Sequence, residues 1–418
     1  MPPARFKAPT GTHDVLPPES DRWQALVARF AAAAGTAGYG LIQSPMFEEL
    51  GVFQRVGEAT DVVRKEMYDF EDKGGRHLAL RPEGTASVVR AYVQHRPTTP
   101  WKVWYAAPSF RYERPQAGRY RQHHQLGVEA VGSDDPDLDV EVITMAWDLF
   151  ASLGLRRVVL LLNSLGDRAC RPAYLDGLSV YLRERADKLC DEHRARHTEN
   201  PLRVLDCKRQ TCRDATRNAP RLIDKLCGPC HAAFERVQQG LAATGIPFAI
   251  ESRLVRGLDY YTRTTFELQA SALESAQNAI GGGGRYDRLV EVMGGDPTPG
   301  IGFGLGIERM LLACDAEGVF PGPATTLDVF VVDLTGGDAA RDLTAGLRRA
   351  GVAADRAFDG RSMRAQMKLA DRSGAPLALI VGEDEAAQAT VTVRRMEEGG
   401  GQETVARDQV IDHVKGLL

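Results

Sequence analysis

What the 418-residue sequence lacks narrows it first. No apolar run approaches the roughly 20 residues needed to span a bilayer. The N-terminal MPPARFKAPTGTHDVLP has no apolar core of the kind a secretory signal carries. Neither sign of charge dominates: 52 Lys+Arg against 56 Asp+Glu leave a formal net charge of −4. Nucleic-acid contact, if any, has to come from local patches and not from bulk charge. Internal repeats and low-complexity tracts are missing as well. Cysteine is scarce and odd in number, seven in all, which argues against a disulfide scaffold in so long a chain and for a reducing cytoplasm. What remains is ordinary in composition, 43% hydrophobic with Gly 42 and Pro 22, and long enough for two or three domains.

Polar chemistry concentrates at 110–132, FRYERPQAGRYRQHHQLGVEAVG. Before it, 101–105 (WKVWY) reads as a strand. Pro115, Gln116, Ala117 and Gly118 supply turn chemistry, and 125–131 reads as the returning strand. Alternation puts Gln125, Gly127 and Glu129 on one face and Leu126, Val128 and Ala130 on the other. Arg111, Glu113, Arg114, Arg119 and Arg121 then crowd one hairpin. Guanidinium forks suit polyanionic phosphate, and Gln125 with Glu129 offers acceptors to a small cationic or amide-bearing ligand. A solvated hairpin with a charged tip is the plainer meaning of such a run. The polar groups here continue onto a strand face, which favours a site.

Around this hairpin the chain alternates helix and strand signals. Trp23, Leu26, Val27, Phe30 and Ala31 recur at helical spacing until Gly35. A short strand ends at Pro45, where a proline fits a sheet edge that a partner could cover. Residues 67–81 read as a hairpin that delivers Arg81-Pro82-Glu83-Gly84-Thr85 ahead of a helix over 87–94. Glu83 and Thr85 could hold an ammonium group or could cap that helix; both readings stand. The run 300–306 (GIGFGLG) predicts a strand followed by a helix carrying Glu308 and Arg309. Residues 281–287 (GGGGRYD) fit a backbone-close element or a loose turn. A long insertion, 167–248, reads as helical and contains Cys207, Cys212, Cys227 and Cys230. Two close thiol pairs resemble a tetrahedral zinc arrangement. Four reduced thiols, or a redox pair at Cys227 and Cys230, are the alternatives, the redox reading trailing because no thioredoxin-like pattern surrounds it. Beyond a Pro-Gly-Pro linker at 321–323, strands at 327–333, 352–357 and 377–381 alternate with helices at 339–350 and 362–371, which predicts a small α/β domain with a parallel or mixed sheet. Arg361, Arg364, Lys368 and Arg372 recur on one helical stripe, either a solvated face or a contact for phosphate.

Taken together, RPEGT at 81–85, FRYERPQ and RQHHQLGVE within 110–129, LVRGLDYYTRTTFE at 254–267 and GIGFGLGIER at 300–309 resemble the histidyl-tRNA synthetases, a family of class II aminoacyl-tRNA synthetases. The resemblance runs from about residue 11 to the end. It implies an α+β catalytic domain built on an antiparallel sheet (the class II synthetase fold) from 1–166 and 249–322. A helical insertion, 167–248, would lie over the tRNA acceptor stem, and a small α/β anticodon-binding domain would occupy 323–418. It implies a ligase that takes ATP with Mg2+, L-histidine and tRNA(His), works in the cytoplasm as a homodimer, and uses the segment around Pro45 as its dimer element. Arg111 would contact the α-phosphate, and Arg256 would do part of what a metal ion does in related enzymes. Arg309 would stack on adenine and reach the terminal phosphate, with Glu113 near adenine and the tRNA acceptor end and Arg119 near the triphosphate. His123 stands where many relatives carry a phenylalanine under the adenine, and stacking on the smaller ring should be weaker. Glu83, Thr85 and Gln125 would hold the α-amino group. Glu129 and Tyr261, with Tyr260 beside it, would serve the two imidazole nitrogens. Family members without the four thiols are expected to fold, so the resemblance does not demand zinc. Two rivals stand beside this reading. One is a non-catalytic regulator of a phosphoribosyltransferase, disfavoured by the intact arginines and C-terminal domain. The other is a synthetase for another amino acid, disfavoured by Glu129 with Tyr261.

Overall fold

The strand alternation read at 125–131 extends through a whole sheet. The computed structural model describes residues 6–57, 60, 62–255, 257–274, 278–323 and 327–418, and the chain divides into two units, Met1–Gly322 and Pro323–Leu418. Strands of the first unit are, in chain order, β1 (Gly40–Leu41), β2 (Phe47–Glu49), β3 (Asp69–Glu71), β4 (His77–Leu80), β5 (Trp101–Phe110), β6 (Gln122–Val131), β7 (Val158–Ser164), β8 (Phe248–Ile250), β9 (Thr262–Ala270), β10 (Ala279–Arg285) and β11 (Gly300–Gly306). Eight of them form one sheet in the order β1-β5-β6-β11-β10-β9-β7-β8. Its interior is antiparallel, and short parallel strands finish both edges. The remaining three, β2-β4-β3, make a small antiparallel sheet. The glycine-rich run at 281–287 is largely strand β10, so the loose-turn alternative falls.

One face of the large sheet carries the main core. Leu126, Val128 and Ala130 of β6, Ile301, Phe303 and Leu305 of β11, and Phe266 and Leu268 of β9 pack there against four helices. Helix Glu19–Thr36 contributes Leu26, Phe30 and Ala34, and helix Pro136–Ser152 contributes Ile143, Ala146, Leu149 and Phe150. Met310 and Leu311 come from helix Ile307–Glu317, and Phe234, Val237 and Leu241 from helix Gly228–Ala243. Burying each such side chain contributes about 1.5–3 kcal/mol of transfer free energy. Between β7 and β8 the chain also forms a second, smaller core around Leu178, Leu182, Leu202 and Val204.

The second unit is a five-stranded mixed sheet, β12 (Val329–Asp333), β13 (Ala354–Arg356), β14 (Leu377–Val381), β15 (Thr390–Arg395) and β16 (Gln402–Ala406), in the order β13-β12-β14-β15-β16. The first three are parallel and the last two antiparallel. The hairpin β15–β16 and the closing helix Val410–Leu417 extend the element series read from the sequence. Among the described residues, no helix is long and apolar enough to cross a membrane.

Candidate active site

Register fixes what the other face of the large sheet presents. In β6 the odd positions His123, Gln125, Gly127 and Glu129 point away from the main core, and β11 sets Gly306, Gly304 and Gly302 across from Gln125, Gly127 and Glu129. Glycine is needed at 302 because a Cβ there would come within 1.9 Å of Glu129 Oε2. On the other side β5 places Tyr105 across from Gly127, where a Cβ would run into the tyrosine ring. Glu129 is 0% exposed. Its Oε1 accepts from Thr85 Oγ1 at 2.6 Å and Tyr105 OH at 3.4 Å, and its Oε2 accepts from Tyr286 OH at 2.6 Å. Burial pushes the Glu129 carboxyl up to about 8, against the pull of the hydroxyls that bond it, and the nearby Glu83 carboxyl adds to the rise.

Glu83 sits at the start of helix Thr85–His95. Its two carboxyl oxygens accept from the backbone N–H groups of Thr85 (2.7 Å) and Ala86 (2.8 Å), so the capping role is present in this structure. Tyr260 OH donates to the same carboxyl at 3.4 Å. The Tyr260 and Tyr261 rings lie 4.6 Å apart. Burial raises the Glu83 carboxyl as it does Glu129. The structure thus brings Glu83, Thr85, Glu129 and Tyr260 into one hydrogen-bonded group with Tyr105 and Tyr286. The two added tyrosines are the partners that sequence reasoning missed. Tyr286 sat at the end of the noticed GGGGRYD run, but its aim at Glu129 depends on the β10–β11 pairing, which spacing along the chain does not encode.

Beside this group lies a cavity of about 1170 Å³ whose wall includes Arg111, Glu113, Arg119, His123, Gln125 and Arg309. Gln125 accepts from Ser109 Oγ at 3.3 Å. Arg111 Nε donates to Pro82 O at 2.9 Å, tying the end of the hairpin to the loop that carries Glu83. Glu113 and Arg119 form an ion pair at 2.9 Å. Arg309 donates to Gly118 O (3.0 Å) and Ala279 O (2.7 Å), which braces the hairpin tip against the sheet. Burial, then the charges of Arg111, His124, Arg309 and Arg119, push the His123 imidazole down to about 3, so this ring is neutral at physiological pH. His124 turns toward the helical side, bonding Glu308 at 3.0 Å. Arg256 lies outside the described residues.

Two further sets stand apart from the cavity chemistry. The four thiols expected to share one arrangement are divided by the structure. Cys207 and Cys212 join Cys190 and His193, whereas Cys227 and Cys230 join Asp167 and Cys170. The reason is topological: Cys212 belongs to helix Gln210–Ala215 and Cys230 to helix Gly228–Ala243, and these helices pack into different cores. In the second unit, Arg364, Lys368 and Arg372 are exposed on helix Met363–Ser373, opposite the buried Gln366 and Ala370. Arg361 precedes that helix and pairs with Asp359 at 3.7 Å, so it departs from the stripe expected of all four.

Comparison with known proteins agrees with this architecture. A family model described as histidyl-tRNA synthetase matches residues 11–310, and one described as an anticodon binding domain matches 328–417. The histidine–tRNA ligase of Moorella thermoacetica is 49% identical over 98% of this chain and 98% of its own. That of Rhodococcus erythropolis is 49% identical over 99% and 98%. The crystal structure of apo S. aureus histidyl-tRNA synthetase matches with a TM-score of 0.83 at 36% identity, covering 98% of this chain and 100% of that one. With its antiparallel catalytic sheet and its C-terminal α/β unit both matched, the chain belongs to the histidyl-tRNA synthetase family of class II aminoacyl-tRNA synthetases.

Proposed function

We propose that the cavity joins L-histidine to ATP, releasing pyrophosphate and leaving histidyl adenylate, and that the histidyl group then passes to the 3′ end of tRNA(His). In the first step a carboxylate oxygen of histidine attacks the α-phosphorus and the bond to the β-phosphate oxygen breaks. Negative charge builds on the phosphoryl oxygens, and cations already fixed in place stabilise it without reorganising. One observation carries the reading: Arg111, Arg119 and Arg309 line a single cavity, next to Gln125 on the strand that also bears Glu129. Burial first, and then the same positive field, keeps His123 neutral, a flat ring suited to stacking under adenine. Magnesium entering with the nucleotide takes oxygen ligands, and Glu113 and Glu267 place carboxylates on the cavity wall; bound there, it would neutralise phosphate charge.

In this reading Glu83, Thr85 and Gln125 hold the α-amino group of histidine. Glu129, with Tyr261 and Tyr260, holds its imidazole, whose two ring nitrogens give a donor and an acceptor to this polar group. Transfer follows when a ribose hydroxyl of the terminal adenosine attacks the carbonyl carbon and AMP departs. Residues 1–166 and 249–322 act as the catalytic part, 167–248 faces the acceptor stem, and 323–418 takes the anticodon, with Arg364, Lys368 and Arg372 as phosphate contacts. The segment around Pro45 serves a homodimer. Leu41, Met46, Phe47 and Phe70, all exposed, give that region an apolar surface for a second copy. The enzyme works in the cytoplasm, where its tRNA is.

Exchange of labelled pyrophosphate into ATP, run with each amino acid in turn, tests the reading. Stimulation by histidine alone is the expected outcome. Silence with every amino acid would make the chain a regulator, and stimulation by another amino acid would reassign the pocket.

A further inference from the structure

Six of the seven cysteines fall between β7 and β8, and all seven are free thiols. They gather with other side chains into two groups, each with its ligand atoms within 4.8 Å of one another. We infer that Cys190, His193, Cys207 and Cys212 form a tetrahedral zinc site, three sulfurs and the His193 Nδ1, which holds this part of the chain in shape.

Geometry supports the ion. Zinc bound at about 2.3 Å to sulfur and about 2.0–2.1 Å to nitrogen sets neighbouring ligand atoms roughly 3.5–3.8 Å apart in a tetrahedron. Here His193 Nδ1 lies 3.1 Å from Cys190 Sγ and 3.9 Å from Cys212 Sγ, values that bracket that edge. The site is closed: Cys190 and Cys212 are buried and the other two half-buried, as in structural zinc sites, whose four positions are all filled by protein. The backbone N–H of Cys190 donates to Cys212 Sγ at 3.3 Å, the kind of support that orients a thiolate ligand.

Local structure supplies the need for it. Cys190 immediately precedes helix Asp191–Arg196, which carries His193; Cys207 follows helix Pro201–Leu205; Cys212 lies in helix Gln210–Ala215. These helices have 6, 5 and 6 residues, far below the roughly 12–15 at which a helix becomes marginally stable alone. The apolar cluster beneath them is smaller than the main core, and Cys190 and Cys212 are themselves part of it. An ion at this point would bind three short elements to one centre. It would also anchor a stretch of the cavity wall, which includes Cys207, Lys208 and Arg213. The other group differs in kind. Asp167 Oδ1 already accepts from the N–H groups of Ala169 (2.8 Å) and Cys170 (3.3 Å), so the inference is confined to the set with three thiols and an imidazole.

The test is elemental analysis of full-length protein purified without chelator, comparing the parent with Cys212→Ser, Cys227→Ser and Cys314→Ser. Cys212→Ser should lose close to one zinc per chain relative to the parent, and Cys314→Ser should lose none. Because the quantity is a difference, any metal at Asp167, Cys170, Cys227 and Cys230 cancels. Equal zinc in the parent and Cys212→Ser, or a loss confined to Cys227→Ser, overturns the assignment, as does a parent with no zinc. Should Cys212→Ser fail to fold, Cys207→Ser, at a half-buried position, takes its place in the same difference with the same outcomes, and the parent gives a further check. Blocking its thiols with a mercurial should release zinc to a chromogenic chelator, and replacement by cobalt(II) should give the intense visible absorption of a tetrahedral thiolate site. Absence of either signal overturns it equally.

Discussion

β6 and β12 are both inner strands, yet they are built to opposite rules. In β12, Val329 and Val331 pack with helices Asp338–Arg349 and Val410–Leu417, and Phe330 and Val332 pack with helix Met363–Ser373. Both sides of that sheet are core. In β6, Leu126, Val128 and Ala130 join a helical layer, and the alternate positions carry His123, Gln125 and Glu129. A parallel sheet covered on both faces reads as continuous apolar sequence, whereas an antiparallel sheet can release one face. The first arrangement leaves partner contact to the outside of a helix. The second lets strands place polar groups at fixed spacing inside a cavity. On that difference, substitutions in the first unit should strike chemistry, and those in the second should strike stability or tRNA contact alone.

Arg111→Gln gives the largest expected effect. Removing one preorganised cation from the site of developing phosphate charge should lower kcat for pyrophosphate exchange by about 10²–10³-fold, with the melting temperature little changed because Arg111 is half-exposed. A drop of less than about tenfold would take Arg111 out of the chemistry. Leu379→Ala is the counterpart in the other sheet. Leu379 is fully buried, so its truncation should destabilise the second unit by about 2–5 kcal/mol while pyrophosphate exchange persists. Loss of exchange together with the unfolding of that unit would break the comparison.

Gly302→Ala probes the released face by steric means. Its Cβ would meet Glu129 Oε2 and the Val128 carbonyl oxygen at 1.9 and 2.4 Å, a clash with backbone that cannot be relieved by rotating a side chain. Overpacking of this kind costs about 1–3 kcal/mol, expected here as a raised KM for histidine with the KM for ATP nearly unchanged. Equal shifts in both would separate Glu129 from histidine recognition. Glu129 also sets a pH dependence. Its folded carboxyl is held up at about 8 against an ordinary 4.5, so the folded state binds the proton more tightly than the unfolded chain does. That contribution is complete below about pH 4.5 and is lost as pH rises through 8. Glu83, Tyr105 and Tyr286 face the same carboxyl. Glu129→Gln should therefore flatten the fall in melting temperature between pH 5 and 8, and an unchanged slope would show that Glu129 is not its source.

Much of this was legible in the sequence where local chemistry and periodicity agreed. The alternation of 125–131, the strand-to-helix change after Gly306 and the αβ series beyond residue 327 all come from patterns a few residues long. The strand ends were not legible. β5 runs on to Phe110 and β6 begins at Gln122, because backbone pairing continues through Ala106-Ala107-Pro108-Ser109 in one strand and Gln122-His123-His124 in the other, residues with little strand signal of their own. The cysteines show the same limit more sharply. Spacing picked out Cys207 with Cys212 and Cys227 with Cys230, but the partners Cys190, His193, Cys170 and Asp167 are supplied by how the chain turns between the pairs. Arg361 failed for a third reason. A stripe of three- and four-residue steps presumes a helix under all its members, and this helix starts at Met363.

The smallest expected effect lies on that stripe. Arg364, Lys368 and Arg372 are exposed and share a helix face, so replacing all three with glutamine should leave pyrophosphate exchange and folding unchanged. Their contact, if made, is with phosphate, and each phosphate contact to a single strand contributes about 0.7 to the slope of log affinity against log salt. The triple variant should therefore weaken tRNA binding several-fold at low ionic strength and flatten that slope by up to about 2. Because Arg361 already pairs with Asp359, changing it as well should add less than any of the three. A slope that stays with the parent value would make the stripe a solvated face, and the second sheet would then have to meet tRNA through some other side.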